Sequence, residues 1–195
     1  MKYIENNSGN TAYLPMEYCR AGSLVDFIHN YYDIYKRPID SITIKTICEH
    51  IRQSQKDLHQ TGFIHRDIKL ENFVVWQTED KSQFKVKCCD FGESRSFTEK
   101  MITLSEESNP TYKSFEKQNG QIYTTKSDLY SIGVCYYHVL CQRPYQPKLE
   151  NGRLVVDFPT EVNRDDTFDS LKNLILNLIQ GEQGIEWEQY FAWEF

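Results

Sequence analysis

A chain of 195 residues with 39% hydrophobic, 26% charged and 14% aromatic residues is long enough for a domain with a real core, and too apolar and aromatic to be disordered throughout. Its net charge of -6, with no basic patch or stripe, argues against a general nucleic-acid binder. The longest apolar run, near 132–140, is too short to span a bilayer, and the opening Met1-Lys2-Tyr3-Ile4-Glu5-Asn6 has no apolar leader core; a cytoplasmic or nuclear protein is expected, with neither membrane nor nucleic acid as partner.

In chain order, 13–19 reads as a strand running into a connector, with Pro15 placing it at an edge or bulge because proline cannot donate to a ladder. Gly22-Ser23 opens a short apolar helix at 24–31, with Ser23 as N-cap. A stronger helix follows at 41–59, where Ile44, Ile47, Cys48, Ile51 and Leu58 recur at helical spacing, and Gly62 can end it in the left-handed conformation. The β-rich runs 73–76 and 84–89 flank a polar turn and predict a hairpin. The run 128–140 is nearly all apolar and predicts a helix buried on most sides. Two amphipathic helices are expected at 168–180 and 185–195.

The six cysteines match no zinc spacing and read as reduced, mostly buried thiols; Cys88 and Cys89 are adjacent on a strand and point to opposite faces. His29, His50, His59 and His138 fall on predicted helices and suggest no ligand cluster.

The chemistry-bearing stretch is His65-Arg66-Asp67-Ile68-Lys69-Leu70-Glu71-Asn72, between the long helix and the hairpin, followed beyond the hairpin by Asp90-Phe91-Gly92. Phosphoryl transfer needs a carboxylate for the hydroxyl proton, a cation beside the transferred group and hard oxygen ligands for magnesium. Asp67 can be that carboxylate, Lys69 the cation, and Asn72 and Asp90 the magnesium ligands, brought near one another by the hairpin they bracket. Glu71 reads equally as a contact for a basic peptide or as a solvated loop carboxylate.

These two segments fill every fixed position of H-R-D-x-x-x-x-N and D-F-G, in order and with a hairpin between, and the chain resembles the eukaryotic protein kinases. The resemblance implies an α+β fold: the mainly helical large lobe at 20–195, a hinge strand at 13–19, and little of the small lobe. It implies ATP and Mg2+ as cofactors and a protein as substrate. Met16-Glu17-Tyr18-Cys19 resembles the hinge, which would put Met16 at the gatekeeper position, the backbone of Glu17 and Cys19 on adenine, and Leu24 and Val74 packed against it. Asp128 would brace the catalytic loop, 112–116 would close the activation segment, and Trp187-Glu188-Gln189-Tyr190-Phe191 resembles a last helix. Lys69 resembles the serine/threonine subclass, and Arg66 would pair with a phosphate on Thr103, Ser105, Ser108 or Thr111. His65 would be structural, packed near Phe91.

The sequence departs from the family pattern at several places. Only 16 residues precede Glu17; they hold one glycine, Gly9, and one lysine, Lys2, and no glycine-rich loop. Phe91 is therefore expected to lack its usual small-lobe neighbour, the cleft to expose apolar surface, and nucleotide affinity to be poor. Gly184 stands where an arginine often pairs with the residue matching Glu116, Asn109 replaces a threonine, and Tyr130 replaces a tryptophan. Three readings stay open: part of an active serine/threonine kinase, an inactive kinase-like binding module, or a half-site completed by another chain.

Overall fold

The computed structural model describes residues 4–5, 12–13, 15–97, 110–114, 125–150, 153–179 and 185–195. Helices dominate, with short antiparallel pairs at the edges. Strand β1 (Ile4–Glu5) pairs with β2 (Ala12–Tyr13). The expected strand over 13–19 is corrected here: residues 15–19 carry no strand, consistent with the donor that Pro15 lacks.

Helix α1 (Leu24–Tyr35) begins at Ser23, whose hydroxyl accepts from the Asp26 N–H while the Asp26 carboxylate accepts from the Ser23 backbone, a capping box. It buries Leu24, Phe27, Ile28 and Tyr31 and runs a turn longer than the sequence suggested. Helix α2 (Ser41–Gln60) is N-capped by Asp40, which accepts from Thr43 N–H at 2.7 Å. Its apolar stripe, Ile44, Ile47, Cys48 and Ile51, is buried, and Gly62 beyond its end adopts φ +81°.

Strand β3 (Phe63–Ile64) pairs with β6 (Arg95–Ser96), a contact too short for sequence alternation to reveal. Between them stands the expected hairpin, β4 (Phe73–Gln77) and β5 (Phe84–Cys88), in the register Phe73↔Cys88 to Gln77↔Phe84. A second hairpin, β7 (Lys148–Glu150) with β8 (Arg153–Val155), had no clear period-two signal.

Helix α3 (Thr125–Cys141) is the centre of the core. Its low amphipathicity follows from burial on almost every side, Leu129, Ile132, Cys135, Tyr136 and Val139 among the buried residues. The Tyr136 hydroxyl donates to the Cys48 carbonyl of α2 at 2.9 Å and meets the Tyr190 hydroxyl at 2.7 Å. After the short α4 (Thr160–Asn163) comes α5 (Asp169–Ile179), which packs on α3 where Gly133 lets the backbones approach.

The last expected helix, 185–195, is shorter than its apolar pattern implied: only α6 (Trp187–Phe191) is helical. The Arg52 guanidinium donates to the carbonyls of Phe191 and Trp193, at 2.8 and 2.7 Å, and its carbon lies 5.4 Å from the Phe195 ring, so a long-range cation satisfies the carbonyls that a further turn would have used.

Among the described residues no helix is long and apolar enough to cross a membrane, and no group of three metal-ligating side chains is found. All six cysteines are free; burial pushes the Cys88 thiol up to about 12, so it stays protonated.

Candidate active site

The chain between β3 and β4 is a loop at 65–69 and a 3-10 turn at Leu70–Asn72. Its shape is set from outside. The fully buried Asp128 carboxylate, in the first turn of α3, accepts from the backbone N–H of His65 at 2.8 Å and of Arg66 at 3.0 Å. That grip accompanies a left-handed backbone at Arg66, φ +70°, a conformation non-glycine residues seldom adopt and which local sequence alone would not hold.

Within the loop the side chains converge. Lys69 Nζ lies 2.7 Å from Asp67 Oδ2. The Asn72 amide Nδ2 donates to the Asp67 backbone carbonyl at 2.8 Å and to Asp67 Oδ2 at 2.9 Å. The Asp67 and Lys69 side chains are both partly exposed, so the cluster can be reached from solvent. The hairpin base is closed by the Cys89 N–H on the Asn72 carbonyl at 2.9 Å, which places Asp90 one residue beyond that bond, on an exposed turn with φ +59°.

His65 is wholly buried. Its Nε2 is 3.1 Å from the Cys89 carbonyl and its ring centre 5.4 Å from that of Phe91. It thus ties the loop to the segment carrying Asp90, the structural part read from the sequence.

The donor set suits a hard cation. Asn72 commits its Nδ2 to Asp67, which leaves the Oδ1 as the oxygen with no hydrogen bond among the described residues, and the Asp90 carboxylate has only a long 3.4 Å contact from the Gly92 N–H. One charged and one neutral oxygen donor are the kinds of group that magnesium takes from protein.

Residues 16–19 reach the hairpin through Glu17, whose carboxylate pairs with the Lys87 ammonium of β5. Met16 is 68%, Tyr18 80% and Phe91 50% exposed, so three large apolar side chains present surface to solvent. Val74 is half-buried and bridged to Ser23. Leu24, the other residue expected to pack on adenine, has no exposed surface in the structure. Cys19 is half-buried; burial raises its thiol pKa, and the nearby Lys87 ammonium works against that rise.

Lys87 is the residue that sequence reasoning missed. Its ammonium pairs with the Glu17 carboxylate, 70 residues away, and only the hairpin register brings the two together.

Of the activation-segment expectations, Thr111 lies in a 3-10 turn at Pro110–Tyr112, which Ser131 holds by donating to the Tyr112 carbonyl at 2.7 Å. Thr103, Ser105, Ser108, Asn109, Glu116 and Gly184 lie outside the described residues.

Residues 2–180 match the family model described as protein kinase domain. Serine/threonine-protein kinase ULK1 of Homo sapiens is 29% identical over 209 aligned positions, covering 99% of this chain and 19% of that protein. Probable serine/threonine-protein kinase fhkC of Dictyostelium discoideum is 31% identical over 180 positions, covering 86% of this chain and 28% of that protein. The chain thus spans less than a third of the length of either relative. Among solved structures, that titled crystal structure of BubR1 kinase domain superposes with a TM-score of 0.67 at 18% identity, covering 90% of this chain and 55% of that one, a likeness of fold.

Proposed function

The chain belongs to the protein kinase family, and from that premise we propose that it carries the catalytic half of a protein serine/threonine kinase, which transfers the γ-phosphoryl group of ATP to serine or threonine hydroxyls of a protein. The observation that carries this reading is the contact cluster of Asp67, Lys69 and Asn72.

The roles follow from the chemistry. As the substrate hydroxyl oxygen bonds to the γ-phosphorus, the bond to the bridging oxygen of ADP breaks and ADP leaves with that electron pair. Asp67 orients the hydroxyl and accepts its proton. Lys69, held against Asp67, presents its ammonium to the phosphoryl oxygens. Asn72 and Asp90 would hold Mg2+, which when bound supplies charge neutralisation to the phosphate oxygens. Val74, with the hinge backbone at Glu17 and Cys19 and the Met16 side chain, would receive the adenine. Arg66 would pair with a phosphorylated activation segment.

Titration calorimetry of MgATP into the purified chain, beside Asp90→Asn and Asp67→Asn, tests this. Binding lost in Asp90→Asn supports the metal assignment. Asp67→Asn should keep binding and lower phosphoryl transfer by about 10²–10⁴-fold. Equal binding by wild type and Asp90→Asn would sink the assignment.

A second reading, an inactive kinase-like binding module, is favoured by one feature: the exposed Met16, Tyr18 and Phe91 side chains offer apolar surface to a partner. A folded chain that binds no nucleotide would favour it.

A further inference from the structure

We propose that Lys87 is a positioning residue for the nucleotide site: its ammonium holds Glu17 and so fixes the hinge backbone at 16–19 against the hairpin. The inference rests on the nucleotide-site reading above.

Three observations lead to it. First, the hinge has few anchors. Residues 15–19 carry no strand, and among the described residues their links to the lobe are sparse. The Gly22 N–H donates to the Cys19 carbonyl at 3.2 Å, a local turn, and the Val75 N–H donates to the Gly22 carbonyl at 2.9 Å, three residues beyond the hinge. Arg20 reaches Glu79 only at 3.8 Å with both side chains largely exposed. The Lys87–Glu17 pair is the described contact that grips the 16–19 segment itself.

Second, Lys87 stands on the right face. It lies directly across from Val74 in the β4–β5 register, and cross-strand partners share a face. Phe73 and Val75 turn inward and are fully buried; Val74 and Trp76 alternate to the other face. The Lys87 ammonium is 6.0 Å from the centre of the Trp76 ring, so its stem crosses the face where Val74 would meet adenine.

Third, the charge of the same ammonium opposes the burial-driven rise of the Cys19 thiol pKa, so its field acts on Cys19 as well as on Glu17.

The pair is exposed, 40% at Lys87 and 52% at Glu17, so it adds little to global stability. Its effect belongs to local order. If nucleotide needs one hinge conformation, apparent affinity scales with the fraction of chains already in it, and releasing Glu17 lowers that fraction. In Lys87→Met the nucleotide Kd should move while turnover at saturating nucleotide stays in place.

Hydrogen exchange and MgATP calorimetry on the full chain test this, with Lys87→Met, Lys87→Arg, Glu17→Gln and the double variant Lys87→Met/Glu17→Gln. The amides of 16–19 should exchange faster in Lys87→Met and Glu17→Gln, with the double variant no worse than either, Lys87→Arg restoring protection and α2 unaffected. MgATP should bind up to about fivefold more weakly in the same variants. Unchanged exchange at 16–19 in Lys87→Met overturns the tether. Faster exchange with unchanged MgATP affinity overturns its link to binding. A wild-type chain that binds no MgATP overturns the nucleotide-site reading instead, and the exchange comparison still decides the tether.

Discussion

His65 donates its backbone N–H to Asp128 at 2.8 Å, across 63 residues of sequence, and the Arg66 N–H joins it on the same carboxylate. The contact fastens the loop that carries Asp67 to the most buried helix of the fold. Removing the carboxylate strands two buried donors and releases the left-handed turn at Arg66. Asp128→Ala should therefore cost about 2–4 kcal/mol of unfolding free energy, read from the urea midpoint. Asp128→Asn, which can still accept one N–H, should fall between it and the wild type. Equal stability of all three proteins would remove Asp128 as the brace.

Gly133 sits where α3 meets α5. A Cβ built there would stand 2.8 Å from Leu178 Cβ, closer than such atoms approach, and a tight 3.0 Å from Ile179 Cγ1. Gly133→Ala gains helix propensity but must push the two helices apart, for a net loss of about 1–3 kcal/mol. A thermal melt that rises instead would show that the helices yield at no cost.

Tyr136 and Tyr190 share a buried hydroxyl contact that joins the central helix to the last one, and Tyr136 also reaches the Cys48 carbonyl. Burial pushes both phenols well above their ordinary pKa, so both remain protonated donors. Tyr136→Phe keeps the ring packing and removes one hydroxyl, leaving that of Tyr190 short of a partner. A loss of about 1–2 kcal/mol in denaturant unfolding is expected. An unchanged midpoint would mean that the Tyr190 hydroxyl finds another partner.

His50 accepts the Val86 N–H at its Nδ1, 3.3 Å away, closing one position of the hairpin edge against α2. Burial, with Lys85 as a smaller cause, lowers its pKa, and Glu49 opposes them. The neutral ring is the form the fold wants. A depressed folded pKa means that this stabilisation is complete above the unfolded-state value of about 6.5 and is lost as pH falls through the folded one. His59 and His138 are lowered in the same direction, chiefly by burial. The urea midpoint should drop between about pH 7.5 and about pH 5. His50→Gln, whose amide oxygen can accept the Val86 N–H at either pH, should flatten part of that drop. A profile identical to wild type would remove His50 from it.

Much of the fold was readable in the sequence, because the signals involved are local. The α2 stripe, the Ser23 cap, the left-handed Gly62 and the β4–β5 hairpin each depend on residues within a few positions of one another. The cluster of Asp67, Lys69 and Asn72 was readable for the same reason, since six residues contain it. The tail was misread because its apolar pattern continues past Phe191, while the helix ends on the Arg52 guanidinium from another helix. Leu24 was expected against adenine by the hinge resemblance, and the packing of α1 leaves it with no exposed surface.

By itself, then, the sequence determined the helices of the strongest periodicity, the place where the hairpin turns, and a set of candidate side chains for phosphoryl transfer. The tertiary structure alone decided that Asp128 grips the 65–69 loop, that Lys87 reaches Glu17, and that Met16, Tyr18 and Phe91 face outward. The physical reason is separation along the chain. Capping and periodicity are satisfied within a turn or two of backbone, whereas these contacts join residues 62 to 70 positions apart, which only the packing of α3 and the hairpin register bring within reach.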